Sequence, residues 1–256
     1  MQPPREFLIF RLWGPMASWG EIAVGERRGS WGRPSRSGVL GLVAAALGIE
    51  RSDAPAHQQL EEGLGLAVRV NHPGKPLRDY HTAQSPSQKR GLRWATRRDE
   101  LNPASDLNTI LSERGYYTEM NGLIALWARG ACSTYPLAQI EARLAEPVFT
   151  LYLGRKACPL GLPPAARLVS AESLDAGFQA YDVIAAEMAS KLGKYAPAAR
   201  PEGPLSLWLG EADANELGLM TPDRLRQRTQ RRDGIRDRAR WLFDDRAEVE
   251  IVEAGS

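Results

Sequence analysis

The chain has 256 residues, enough for one large domain or two small ones, with 43% hydrophobic and 25% charged residues, the balance of an ordinary packed globular protein. Its formal net charge of +2 assigns no partner by itself. No apolar run approaches the roughly 18 residues that a membrane helix needs, there is no basic stretch leading into an apolar one at the start of a secretory signal, and two cysteines, Cys132 and Cys158, are too few for a disulfide framework. These features predict a cytoplasmic protein with reduced thiols and no membrane partner.

In chain order, EFLIFRLWGP (Glu6–Pro15) predicts a buried strand, apolar on both faces apart from Arg11 and stopped by Gly14-Pro15. Arg11 there is either one half of a structural ion pair or an RNA contact. Next, SRSGVLGLVAAALGI predicts a helix capped by Ser35 or Ser37, with Val39, Leu42, Val43, Ala46 and Leu47 as its buried stripe and Gly48 as its stop. Gly38 and Gly41 weaken that helix by about 1 kcal/mol each relative to Ala, a cost that points to close approach of a sheet or a ligand. LGLAVRVN (Leu64–Asn71) predicts a second strand.

Residues 73–115 are polar, basic and without clear periodicity, which marks a functional arm or a disordered segment rather than a simple connection. YYTEM, a turn at Asn121-Gly122, and LIALWAR follow as strands flanking a turn. PLAQIEARLAEP (Pro136–Pro147) predicts a helix with Leu137, Ile140 and Leu144 inward, and VFTLYLG (Val148–Gly154) a further strand. The succession is βαββαβ, the ferredoxin-like order shared by RNA recognition motifs, within an α+β fold. Residues 1–160 are expected to form that domain, with the arm at about 78–115 inserted in it. Residues 161–256 are expected to form a smaller β-containing lobe, with strands in PLSLWLG and AEVEIVE and a helix at the end of SLDAGFQAYDVIAAEMASKL.

Arginine is clustered. Glu26–Arg36 carries four Arg against one Glu, and Lys89–Arg98 five basic residues and no acid. Arg224–Arg240 carries eight Arg against two Asp, read as a solvated charged helix. With Trp31, Trp94 and Tyr80 interleaved, the first two clusters are the footprint of a phosphate-rich partner. Trp13 and Trp19 are assigned to packing, and Trp94 to an exposed contact. The basic turn Arg33, Ser35, Arg36, Ser37, at the positive end of the helix behind it, is a seat for phosphate. GRKACP (Gly154–Pro159) is a second seat, with Arg155 and Lys156 for charge and backbone N–H groups in the loop around Cys158. No CxxC pair, P-loop or GxSxG is present, so no metal, cofactor or hydrolase chemistry is expected.

Four segments, RLWGPMASWG (Arg11–Gly20), RPSRSGVLGLVAAALGIER (Arg33–Arg51), LRDYHTA (Leu77–Ala83) and LYLGRKACPL (Leu151–Leu160), resemble the CRISPR-associated protein 5 family of the RAMP superfamily, in its type I-E Cascade form. The resemblance implies a ferredoxin-like domain with a β-hairpin thumb. It implies a non-catalytic subunit that holds the 5′ handle of the guide crRNA and meets the adjacent backbone subunit and the large subunit that recognises the protospacer-adjacent motif. Target DNA is then reached only indirectly, through guide pairing. The RNA-binding set becomes Arg27, Arg28, Arg33, Ser35, Arg36, Ser37, Arg78, His81, Arg155, Lys156 and Cys158. The thumb set is Lys89, Arg90, Arg93, Trp94, Arg97 and Arg98. On this reading, replacing Arg33 and Arg36 together by Glu strips guide RNA without unfolding the chain. One rival is a metal-independent ribonuclease of CRISPR repeat RNA, as in relatives of another subtype, with His81 as acid or base beside Tyr80, Tyr116, Tyr117 or Lys89. Another is a structural subunit whose basic clusters meet acidic protein.

Overall fold

The computed structural model describes residues 3–21, 23, 25–87, 93–102, 107–130, 134–197, 201–237, 240 and 242–254. The first strand, β1 (Arg5–Trp13), buries both its faces. Four two-residue strands follow: β2 (Met16–Ala17), β3 (Trp19–Gly20), β4 (Arg27–Arg28) and β5 (Ser30–Trp31). Helix α1 (Arg36–Leu47) begins where Ser35 Oγ accepts the Gly38 N–H and ends at Gly48, left-handed at φ 80°, the conformation glycine adopts without strain. Then come α2 (Ala54–Gly63), β6 (Leu64–His72), β7 (Lys75–Pro86), α3 (Arg97–Glu100), β8 (Leu107–Thr118), β9 (Asn121–Ala128) and α4 (Leu137–Ala145). The chain closes with β10 (Arg167–Ala171), α5 (Leu174–Leu192), β11 (Ser206–Gly210), α6 (Glu211–Glu216), β12 (Leu225–Asp237) and β13 (Leu242–Val252).

Seven strands form one sheet in the order β10-β1-β9-β6-β11-β13-β12, antiparallel at every pairing. Period-2 alternation sorts β1 between two cores. Leu8, Phe10 and Leu12 pack with α1 and α4, while Phe7 and Ile9 pack under α5 against Leu174, Phe178 and Tyr181. Neither face of the sheet around β1 is open. Residues 161–256 add β10 at one edge and β11, β13 and β12 at the other, so the sheet continues across the expected boundary at 160.

The polar arm, left unassigned by periodicity, is a hairpin: β7 and β8 pair without interruption from Lys75↔Thr118 to Pro86↔Leu107. It escapes periodicity analysis because neither of its outer faces is apolar. Asn121 and Gly122 are not a turn. They pair with Trp13 and Leu12 inside β9, and the chain reverses just before, at Glu119 with φ 57°. Val148–Gly154 is not a strand. The Val148 and Phe149 N–H groups donate to Ala46 and Ala45 carbonyls (3.1 and 3.0 Å), closing the C-terminal end of α1. The strand expected there is β10 instead. The run Arg224–Arg240 is not helical; most of it is edge strand β12, hydrogen-bonded along β13.

The turn before α1 is held by charges from that β12–β13 hairpin. Arg33, 8% exposed, pairs with Glu248 and lies over Trp208, 3.5 Å from its ring centroid. Arg231 donates to the Pro34 and Arg33 carbonyls (3.1 and 3.2 Å). Arg246 pairs with Asp233 and Glu248, each at 2.9 Å. The Arg36 backbone N–H donates to Asp233 Oδ2 at 2.9 Å. The Arg36 side chain, 3% exposed, turns to Glu61 at 2.5 Å and Asp213 at 3.5 Å. The anion at this helix N-terminus is the chain's own carboxylate. Removing one partner of a buried pair costs about 3–5 kcal/mol, against a total stability of roughly 5–15 kcal/mol. The double variant R33E/R36E is therefore expected to lose its cooperative thermal transition by circular dichroism. A melt within about 3 °C of the unmodified chain would show the network to be dispensable.

Candidate nucleic-acid interface

Beside α1 lies a cleft of about 790 Å³. One wall is the face of α1 carrying Ser35, Ser37, Gly38, Gly41, Leu42 and Ala45. Opposite it stand the segment around Arg28, the loop at Gly154 and Arg155, and the β12–β13 hairpin with Arg232, Arg236, Leu242, Phe243 and Asp244. Gly38 lets that helix pack closely on its support: a Cβ there would lie 2.8 Å from Ser35 Oγ and 3.3 Å from the Trp19 ring.

The basic groups at the cleft differ in how firmly they are held. Arg155 lies 4.9 Å over the Tyr116 ring and donates to the Arg28 carbonyl at 3.3 Å, which fixes its direction. Arg28 is exposed on β4, a strand held parallel to β8. Arg232 and Arg236, 54% and 67% exposed, sit 3.5 and 3.6 Å from Asp245 and Asp244, which are equally open to water. Exposed pairs of this kind are worth about 0–1 kcal/mol, so a phosphate can replace the carboxylate at little cost. Guanidinium forks suit phosphate oxygens, and their planes suit bases.

The predicted RNA set divides. Arg28, Arg155, Ser35 and Ser37 line the cleft, with Lys156 exposed beside Arg155 and Arg27 exposed beside Arg28. Arg33 and Arg36 are buried in the ion-pair network and are not available to a ligand. Ser35 is occupied as the helix cap, and its hydroxyl lies 3.3 Å from that of Ser37. Cys158 is fully buried in the core, and burial pushes its thiol up. Gly154, at φ 83°, serves packing, since a Cβ there would lie 1.9 Å from the Ser18 carbonyl oxygen. Its N–H already donates to the Tyr152 carbonyl at 3.1 Å. Charge at this loop therefore comes from side chains.

Arg78 and His81 lie on β7 and are not among the residues that line the cleft. Arg78 pairs with Glu113 at 3.2 Å, and His81 Nε2 with the Asp79 carboxylate. Tyr80, adjacent to His81 on the strand, points to the other face of the hairpin. Tyr116 is buried, so the residues of the ribonuclease reading that are described do not converge. In the arm, Arg93, Trp94, Arg97 and Arg98 are exposed, Arg97 being paired to Glu100 at 2.5 Å. Lys89, Arg90 and Cys132 lie outside the described residues. Among the described residues, no three His, Cys, Asp or Glu side chains gather as a metal-ligand set, and no helix is long and apolar enough to cross a membrane. Arg232 and Arg236 were missed as site residues because their run reads as a solvated helix. The run carries no apolar alternation that would mark it as a strand.

Known proteins align with this picture. The chain is 34% identical over 167 residues to the CRISPR system Cascade subunit CasD of Escherichia coli (strain K12), spanning 62% of this chain and 69% of the relative. A solved CRISPR RNA-guided surveillance complex contains a chain that superposes with a TM-score of 0.63 at 23% identity, over 96% of this chain and 90% of that one. A structure described as a Cas protein superposes with a TM-score of 0.54, also at 23% identity, over 96% and 94%. These two likenesses are likenesses of fold. The family model described as "CRISPR-associated protein (Cas_Cas5)" matches residues 7–246, and with the homology to CasD it makes this chain a member of the CRISPR-associated Cas5 family.

Proposed function

We propose that this chain is a non-catalytic, cytoplasmic subunit of a Cascade-type surveillance complex and that it holds the 5′ handle of the guide crRNA in the cleft beside α1. The observation that carries the reading is the placement of Arg28, Arg155, Arg232 and Arg236 around the cleft beside that helix. Four forks around a groove of nucleotide dimensions suit a single strand bent through it, gripped at phosphates with bases free to lie against Leu42 and Ala45. Handle shape and phosphates are recognised here; target sequence is read by guide pairing.

The sheet order β10-β1-β9-β6, with α1 and α4 packed on one side of it, supports reading this part as the ferredoxin-like RAMP domain. The β7–β8 hairpin leaves between its second and third strands and acts as the thumb. Exposed Leu77, Tyr80, Trp94 and Ile110 suit it to the adjacent backbone subunit, with Arg93, Arg97 and Arg98 at its end. The large subunit that reads the protospacer-adjacent motif abuts the same end of the chain.

Labelled CRISPR repeat RNA mixed with the purified chain in EDTA is expected to shift on a native gel and to remain intact on a denaturing gel, with His81→Ala unchanged. A discrete cleavage product lost in H81A would make the chain a processing enzyme instead. Affinity is expected to fall with salt at a log–log slope of about −3, as for four phosphate contacts on a single strand. The variant R232Q/R236Q is expected to bind roughly 30-fold more weakly, taking about 1 kcal/mol per exposed contact, with the slope reduced to about −1.5 and an unchanged melting temperature. Undiminished binding by that variant would rule out this cleft as the RNA seat.

A further inference from the structure

Five described arginines have less than a tenth of their surface exposed: Arg11, Arg33, Arg36, Arg69 and Arg231. Four of them face carboxylates. Arg33 has Glu248, Arg36 has Glu61 and Asp213, Arg69 has Asp182 and Glu253, and Arg231 has Asp233 and Glu248. Arg11, 7% exposed, has no ion pair to any described residue, and its Nε is buried with no hydrogen-bond partner. Alternation along β1 places it on the side of Phe7 and Ile9, under α5.

The titratable group that faces it there is Tyr181 of α5. Burial pushes the Tyr181 phenol up to about 12, so at neutral pH it is uncharged. Its hydroxyl is engaged with the Pro164 and Ala165 carbonyls. Arg167 adds a second positive charge to the same neighbourhood, and Asp182, which is paired with Arg69, a negative one. Burial pulls the Arg11 guanidinium down from its ordinary value, yet a guanidinium stays protonated in a protein. Arg11 is thus a largely buried cation with no ion pair of its own to any described residue, a costly arrangement for a charged group.

We infer that Arg11 is an anion receptor completed by a carboxylate side chain from a neighbouring protein subunit. The inference rests on the reading of the chain as part of a multi-subunit complex. Two features favour a protein acid over RNA. Arg11 lies on the α5 side of the sheet, whereas the cleft lies against α1 on the other. The small exposure of Arg11 admits a slender Asp or Glu arm more readily than a phosphodiester flanked by riboses.

The test uses thermal melts of the isolated full chain and of Arg11→Met, in sodium formate, chloride or inorganic phosphate at matched ionic strength. In chloride, R11M is expected to melt higher than the unmodified chain, because an unpaired buried charge is replaced by an apolar group of similar length. Formate at ten times its dissociation constant is expected to raise the unmodified chain by roughly 3–6 °C and leave R11M unmoved. Should R11M be insoluble, Arg11→Lys, which keeps the charge but not the fork, is expected to show a weakened formate response. In the reconstituted complex, R11M is expected to enter at least tenfold more weakly, while the isolated chain binds repeat RNA as before. A lower melting temperature for R11M with no formate response in the unmodified chain would make Arg11 purely structural and overturn the inference. Stabilisation by phosphate but not formate, together with lost RNA affinity in R11M, would overturn it in favour of an RNA contact. The formate response needs no RNA, so its failure is distinguishable from failure of the handle-binding reading.

Discussion

Everything near the cleft depends on two buried carboxylates, Asp233 and Glu248, 3% and 4% exposed. They sit on the β12–β13 hairpin at the far edge of the sheet, and they hold the turn that starts α1. Three guanidinium groups (Arg33, Arg231, Arg246) against two carboxylates leave one positive charge. The N-terminal end of α1 adds its own partial charge at the same place. The network therefore does two things. It locks the hairpin in one position over the helix, since buried pairs tolerate little displacement. It also leaves an excess positive charge at the start of α1, beside the cleft.

The architecture explains why binding is expected at a helix and a sheet edge rather than across a sheet. An RNA recognition motif keeps one sheet face open for stacked bases. Here α5 closes that face, with Phe178 and Tyr181 fully buried beneath it. What remains is the side where α1 meets loop and hairpin. The cationic groups that line the cleft on that side are the guanidinium groups of Arg28, Arg155, Arg232 and Arg236.

Much of the frame was legible from residues alone. β1, α1 with its Ser35 cap and Gly48 stop, β6 and α4 follow from apolar period and capping chemistry, which act over a few residues. The ion-pair network was not legible, because its contacts join Arg33 to Glu248 and Arg36 to Asp233 across 215 and 197 residues of sequence. Locally, GRPSRSG shows cations and no acid, and so reads as a site awaiting a phosphate. Polar strands were missed for a related reason. β7, β8 and β12 carry few apolar side chains, and without an apolar stripe neither a period of 2 nor one of 3.6 is visible. The same limit hid Arg232 and Arg236, which are solvent-facing in either conformation and become a site only through the fold.

Three of the four segments that carry the family resemblance touch one another. Gly154, from LYLGRKACPL, packs on the Ser18 carbonyl of RLWGPMASWG, and Gly161, just after it, packs on Trp13, where a Cβ would lie 2.3 Å from the ring. The Ser18 N–H donates to the Leu153 carbonyl at 3.0 Å. Trp19, from the first of these segments, lies under Gly38 of α1. These are close backbone approaches that tolerate no larger residue, and together they form the floor on which α1 and the Arg155 loop stand. The motifs thus fix the distance between the two walls of the cleft. The arginines that would meet RNA, other than Arg155, lie outside them. A sequence resemblance concentrated in such a knot speaks first of a fold, and the chemistry of the ligand has to be read from the charges arranged around it.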